Sequence, residues 1–431
     1  MAEIRYRSTR SSGKTFSIGE ALESGLAPDG GLFLPLSFPR IEIADLPEDS
    51  FASCSLEIFS RWLKGTEFED SFESVLKDAL NFSVPIVELD RNVFVMELFH
   101  GPTLSFKDFG ARTMARLLGR RLERTGKRIT IMVATSGDTG SAVADGFAGI
   151  EGIDVVLLFP ENQVSRVQER QLVVKRPGVH AFRVRGTFDD CQSLVKSAFT
   201  NPELRDVSLS TANSINIGRL LPQILYYMWA VKTLGSNDLQ MIVPSGNLGN
   251  LTAGVFASLS GMATSGFLAA HNKNDFFPNF LTDPSASFKP SVRTDSNAMD
   301  VGAPSNFERL SSLLTRDEMT GLIAAVSISD SDTRLSMKRI YEDAGYVSDP
   351  HTAVGLEAQR NSEGGQRSKG PSLVLSTAHP AKFPEIVSEV LGINPEVPSQ
   401  LSKLNALPTS CQTIDADKDQ FAQVILELAH V

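Results

Sequence analysis

The stretch Ile129-Thr130-Ile131-Met132-Val133-Ala134-Thr135-Ser136-Gly137-Asp138-Thr139-Gly140 decides how this chain folds. Its first half is a short β-rich run. Its second half opens a helix of small residues that continues through Ala142, Val143, Ala144 and Phe147. Unpaired backbone amides at such a helix start bind anions, and the hydroxyls of Thr135, Ser136 and Thr139 add donors. Taken alone, the turn serves equally well as an ordinary helix cap.

The same grammar recurs downstream. Leu239-Gln240-Met241-Ile242-Val243 reads as a buried strand, and Pro244-Ser245-Gly246-Asn247-Leu248-Gly249-Asn250 turns it into a helix from Leu251 to Ser260. Glycines at 246 and 249 let the backbone approach a phosphate closely. A third junction runs from Ser372-Leu373-Val374-Leu375-Ser376 into Thr377-Ala378-His379-Pro380-Ala381-Lys382-Phe383. A hydroxyl at the end of such a strand either bonds a heterocycle nitrogen or caps the next helix.

Further strands are expected at Asp154 to Phe159, His180 to Val184 and Gly266 to Ala270. Strands alternating with helices argue for wound α/β layers on a mainly parallel sheet. Residues 1–95 read as a helical N-terminal region, with Phe51 to Leu63 and Phe72 to Leu80 amphipathic. The expected organisation is that region, a smaller α/β domain over 96–235 and a larger one over 236–431. Asn361 to Gly370 reads as a polar surface loop. Asp283 to Ser296, rich in Ser, Pro and Asp, reads equally as a lid and as a plain connection.

His100-Gly101-Pro102-Thr103-Leu104-Ser105-Phe106-Lys107-Asp108-Phe109-Gly110 places a lysine at the start of an amphipathic helix. Phe109, Met114, Leu117, Leu118 and Leu122 recur at helical spacing, and Arg112, Arg116 and Arg120 form a polar stripe. A cation is disfavoured beside the positive end of a helix dipole and by desolvation. Lys107 therefore suits an amine that must attack a carbonyl, although Phe-Lys-Asp by itself also describes a surface lysine with Asp108 as counter-charge.

Taken in order, these motifs closely resemble the threonine synthases of bacterial and fungal type, pyridoxal-phosphate enzymes of the tryptophan-synthase-β superfamily. Tyr6 to Arg10, Gly25 to Phe33, Asn213 to Arg219, Asn297 to Gly302 and Asp349 to Gly355 extend the match nearly end to end. The resemblance implies fold type II, with two wound α/β domains and the cofactor cleft between them. It implies that Lys107 forms the internal aldimine with pyridoxal 5'-phosphate, that Gly246, Asn247, Leu248, Gly249 and Asn250 form the cofactor-phosphate loop, and that Thr377 faces the pyridine nitrogen. It also implies that Asn213, Ser214 and Arg219 grip the phosphate of O-phosphohomoserine, while the turn from Ser136 to Thr139 receives the amino-acid carboxylate and cofactor ring. A planar guanidinium fork suits a phosphate dianion, whereas without the resemblance Arg219 reads as a snorkelling helix residue. One departure stands out: many superfamily members carry asparagine at Asp138, donating to the cofactor's phenolic oxygen. A carboxylate there either shares a proton or points elsewhere. Rival readings are a serine or threonine dehydratase and a non-catalytic homologue that keeps the cofactor pocket.

Composition agrees. The 431 residues are 42% hydrophobic and 21% charged, enough to build several cored domains without metals or crosslinks. Net charge is -10 with no dense basic block, so nucleic acid is not expected as a partner. Three scattered cysteines, Cys54, Cys191 and Cys411, fit free thiols in the cytoplasm, and the six histidines lack metal-site spacing. His100 and His379 flank two motifs, in a cofactor-contacting or a structural role. Ser12-Gly13-Lys14-Thr15 mimics the end of a P-loop, but Ser8 stands where that motif needs glycine. No secretory signal or membrane span is expected, and the chain reads as a monomer or small homo-oligomer.

Overall fold

The computed structural model describes residues 3–363 and 370–429. Two twisted sheets carry the fold. The first has five parallel strands in the order Gln412–Asp415, Val179–Arg185, Ile153–Pro160, Ile129–Ala134 and Leu209–Thr211. The second has six, in the order Ile323–Ser327, Gly266–His271, Gln240–Pro244, Ser372–Ser376, Val93–Glu97 and Ile86–Asp90, parallel apart from the antiparallel edge hairpin. These are the wound α/β layers expected from the strand and helix alternation, and all six expected strands are present to within a residue or so.

The run from Ile129 to Ala134 is apolar throughout because both of its faces are covered. Side chains alternate across a strand. Ile131 and Val133 join a core with Phe109, Met114, Val143 and Phe147, contributed by the helices Lys107–Thr125 and Asp138–Phe147. Met132 and Ala134 face Leu194, Phe421 and Ile425 from the helices Phe188–Thr200 and Lys418–Ala429. The strand thus ends in the middle of a packed layer, and whatever follows it is held rigidly.

The N-terminal region holds the expected helices, Phe51–Trp62 and Phe72–Ala79, but it is not helical alone. Tyr6–Ser8, Thr15–Phe16 and Phe33–Pro35 form a small antiparallel sheet, and Ile86–Asp90 and Val93–Glu97 belong to the six-stranded one. These strands are two to five residues long, and Val93–Glu97 pairs with residues 372–376, so neither length nor local pattern announces them. Ser12 to Lys14 lie in the exposed turn of the small sheet and form no phosphate cradle.

Two further readings change. Arg112 does not belong to a solvated stripe: it is buried, and its guanidinium donates to Ala79 O at 2.7 Å and Asp78 O at 3.0 Å, satisfying the carboxyl end of the helix Phe72–Ala79. Asn361 to Glu363 complete the helix Pro350–Glu363 instead of forming loop, while 364–369 lie outside the described residues. The connection Asp283 to Ser296 is irregular and pinned by paired hydrogen bonds between Val292 and Asn274. It contributes no residue to the wall of the main cavity. Among the described residues, no helix is long and apolar enough to cross a membrane.

Candidate active site

Both sheets direct the carboxyl ends of central strands at one cavity of about 340 Å³. Two segments from opposite ends of the chain meet there. The N–H of Phe106 donates to Thr377 O at 2.9 Å, and that of His379 donates to Leu104 O at 3.1 Å. This short zipper places Lys107, first residue of its helix, beside Thr377 at the end of its strand. Asp108 locks the preceding turn. Fully buried, it accepts from Thr103 N at 2.9 Å and Thr103 Oγ1 at 2.6 Å, so it is not the counter-charge of Lys107.

That counter-charge comes from Asp138. Its Oδ2 lies 3.8 Å from Lys107 Nζ, while its Oδ1 accepts from Lys382 Nζ at 2.8 Å and Gln168 Nε2 at 3.0 Å. Burial holds the Lys107 amine down to about 8, aided by the cations of Lys382 and Arg219 and opposed by Asp138. Burial pulls the Asp138 carboxyl the other way, but Lys382 and Lys107 overcome it and keep the group well below the ordinary carboxylate range. An amine with that proton affinity is a usable nucleophile and proton carrier near neutrality.

The rest of the cavity wall is rich in donors. Gly246, Asn247, Leu248, Gly249 and Asn250 line it at the start of the helix Gly249–Leu259. Gly246 is required: a Cβ there would stand 2.8 Å from Met299 Cα. Asn250 Oδ1 accepts from the hydroxyls of Tyr226 and Tyr227, both at 2.7 Å, and its buried Nδ2 has no partner. Arg219 is 2% exposed; one Nη donates to Ala212 O, and its Nε has no partner. Burial lowers its guanidinium to about 10, so it stays cationic at neutral pH. Buried unpaired donors are costly unless an anion completes them.

Every residue given a catalytic, cofactor or substrate role from the resemblance, together with Thr135, lies on this wall: Lys107, Thr135, Ser136, Asp138, Thr139, Asn213, Ser214, Arg219, the loop 246–250 and Thr377. Their duties differ. The Thr135 hydroxyl accepts from Gly137 N at 3.0 Å and Gly140 N at 2.8 Å, shaping the turn; Gly137, at φ 131°, adopts a backbone that other residues avoid. Asn213 Nδ2 reaches Ala134 O at 3.1 Å. Ser214 Oγ accepts from Asn247 Nδ2 at 2.6 Å, tying the arginine segment to the glycine loop. His100 pairs with Glu97 at 2.7 Å and His379 Nδ1 accepts from Ala381 N at 3.1 Å; neither reaches the cavity wall.

Sequence reasoning missed Lys382, His351 and the pair Asn306 and Arg309. His351 lines the cavity with Nδ1 2.7 Å from Asp349 and Nε2 accepting from Ala298 N at 3.1 Å. Arg309, fully buried, donates to Phe33 O at 3.0 Å and to Ile215 O, and Asn306 Nδ2 donates to Asn247 O at 3.0 Å. His351 and Lys382 sit inside stretches already notable as motifs. Arg309 lies in an unremarkable helix and carried no signal.

Comparison with known proteins agrees with this geometry. The model for pyridoxal-phosphate dependent enzymes matches residues 80–377, flanked by threonine synthase N-terminal and C-terminal models over 5–80 and 352–425. The threonine synthase of Haemophilus influenzae is 39% identical over 96% of this chain and 97% of its own length. The crystal structure of pyridoxal-phosphate-bound threonine synthase from Brucella melitensis superposes with a TM-score of 0.92 at 32% identity, covering all of both chains. That of the Escherichia coli enzyme gives 0.91 at 37% identity, covering 98% of this chain and 99% of the other. The chain therefore belongs to the threonine synthase family of pyridoxal-phosphate dependent enzymes.

Proposed function

We propose that this chain converts O-phospho-L-homoserine and water into L-threonine and inorganic phosphate in the cytoplasm, with pyridoxal 5'-phosphate bound in the cavity. One observation carries the reading: a lysine whose amine burial holds down to about 8 and a buried arginine with an unpaired Nε share a single cavity. The residues present fit the cofactor. Lys107 supplies the amine for its aldehyde, and the loop 246–250 supplies a backbone cradle for its phosphate, where the Asn250 amide lacks a partner. The Thr377 hydroxyl is the group for the ring nitrogen. When bound, the cofactor supplies an electron sink for negative charge on carbon next to the amino group.

The protein's own residues do the rest. Arg219, with Asn213 and Ser214, holds the substrate phosphate, and the turn Ser136 to Thr139 holds the carboxylate. Fixing both ends aligns the carbons between them with Lys107. Lys107 Nζ takes and returns the protons: those at the α and β carbons leave, the γ carbon–oxygen bond breaks to release phosphate, a proton returns at γ, water adds at the β carbon, and a proton returns at α. A hydroxyl partner at the ring nitrogen leaves that nitrogen largely unprotonated and moderates the electron sink.

Incubating purified enzyme and cofactor with O-phosphohomoserine should release phosphate and threonine in equal amounts. Deamination of unphosphorylated threonine, with no response to phosphohomoserine, would replace this reading with a dehydratase. Cofactor binding without turnover of either compound would leave a non-catalytic homologue.

A further inference from the structure

Lys382 is fully buried, stands off the cavity wall, and ends the short turn Pro380–Lys382 that follows Thr377. It therefore does not reach the ligands expected in the cavity. Its Nζ spends its hydrogen bonds on Thr103 O at 2.9 Å and on Asp138 Oδ1 at 2.8 Å, while the second oxygen of Asp138 looks toward Lys107 at 3.8 Å. A charge this deep is stable only when paired, and removing its partner leaves an uncompensated ion beside the reactive amine. The other charged or titratable groups near this cluster are Arg219 beside Lys107, His351 beside Asp138, and Asp108 and His379 near Lys382. None of those four forms an ion pair with Asp138, whose direct ionic partners among the described residues are the two lysines.

We propose that Lys382 is a positioning residue that forms one neutral unit with Asp138, and that this pair together, instead of either group alone, sets how readily the Lys107 nitrogen gives up its proton. The pair explains how a carboxylate can stand beside the reactive lysine without trapping it as a permanent ion pair. This inference rests on the assignment of Lys107 as the cofactor lysine.

The test uses apoprotein mixed with pyridoxal 5'-phosphate, following the rate at which the visible absorption of the Lys107 adduct forms across a pH series without substrate. Wild type should reach half its limiting rate near pH 8, where the amine loses its proton. Lys382→Met leaves Asp138 unbalanced and should tighten proton binding by Lys107 roughly tenfold or more, moving the midpoint upward. Asp138→Asn should move it downward, and Asp138→Asn with Lys382→Met should return it close to wild type. A Lys382→Met protein that folds, by melting temperature and circular dichroism, yet keeps the wild-type midpoint would overturn the proposal. Should Lys382→Met not fold, the double variant decides: folded with a near wild-type midpoint it supports the neutral unit, and unfolded or displaced like Asp138→Asn it refutes it. Failure of wild type to form any band would remove the Lys107 assignment itself, a result distinct from a band indifferent to residue 382.

Discussion

Two sets of buried polar groups around the cavity solve opposite electrostatic problems. The first is satisfied within itself: Asp138 is shared between Lys107 and Lys382, and Gln168 donates to the same Oδ1 as Lys382. The second is not, since Arg219 Nε, beside the Lys107 helix at Gly110, and Asn250 Nδ2, in the glycine loop, are buried donors without acceptors. A self-satisfied cluster holds a reactive group in a chosen protonation state. A cluster of unpaired donors is completed only when an anion arrives, and the cavity has reason to carry both.

Lys107→Ala gives the largest effect that would break this contrast. It should abolish the visible adduct band and lower turnover by roughly 10³-fold or more, since both covalent attachment and proton transfer are lost. An unchanged spectrum would show that the cofactor amine lies elsewhere. Next comes Arg219→Ala, expected to reduce kcat/KM for phosphohomoserine by about 10²-fold through loss of charge-assisted hydrogen bonds. The adduct band should survive. Equal loss of the band and of substrate affinity would mean that the two sets are not separable. Gly246→Ala sharpens the comparison with a smaller effect. The new Cβ meets backbone at Met299, so the loop must shift, and cofactor affinity measured by fluorescence titration should weaken by about tenfold. Unaltered affinity would mean that the loop's backbone approach does not contribute.

Much of this was legible in the residues. Ile129 to Ala134 read as strand because both faces are buried and every position is apolar or β-branched. The loop 246–250 read as a cradle because glycines at 246 and 249 let the backbone approach a phosphate closely, and in the fold Gly246 packs against Met299. The edge strand Gln412–Asp415 was illegible, being polar and four residues long, with a partner more than two hundred residues away. The small sheet within the N-terminal region escaped because its strands are only two or three residues long.

Asp138 marks the boundary. From sequence, a carboxylate there is a conflict with two solutions, a shared proton or a different orientation. The fold supplies a third, a buried lysine 244 positions later.

Sequence alone determined which elements form and which side chains carry reactivity, because hydrophobic period, turn chemistry and functional groups are local properties. Which charge faces which was decided only by the tertiary structure. Burial and ion pairing depend on groups brought together across the whole chain, as when the zipper between Leu104 and His379 brings the lysine helix to Thr377. Coulomb energy and desolvation depend on distance and surroundings in three dimensions, and spacing along the chain does not encode them.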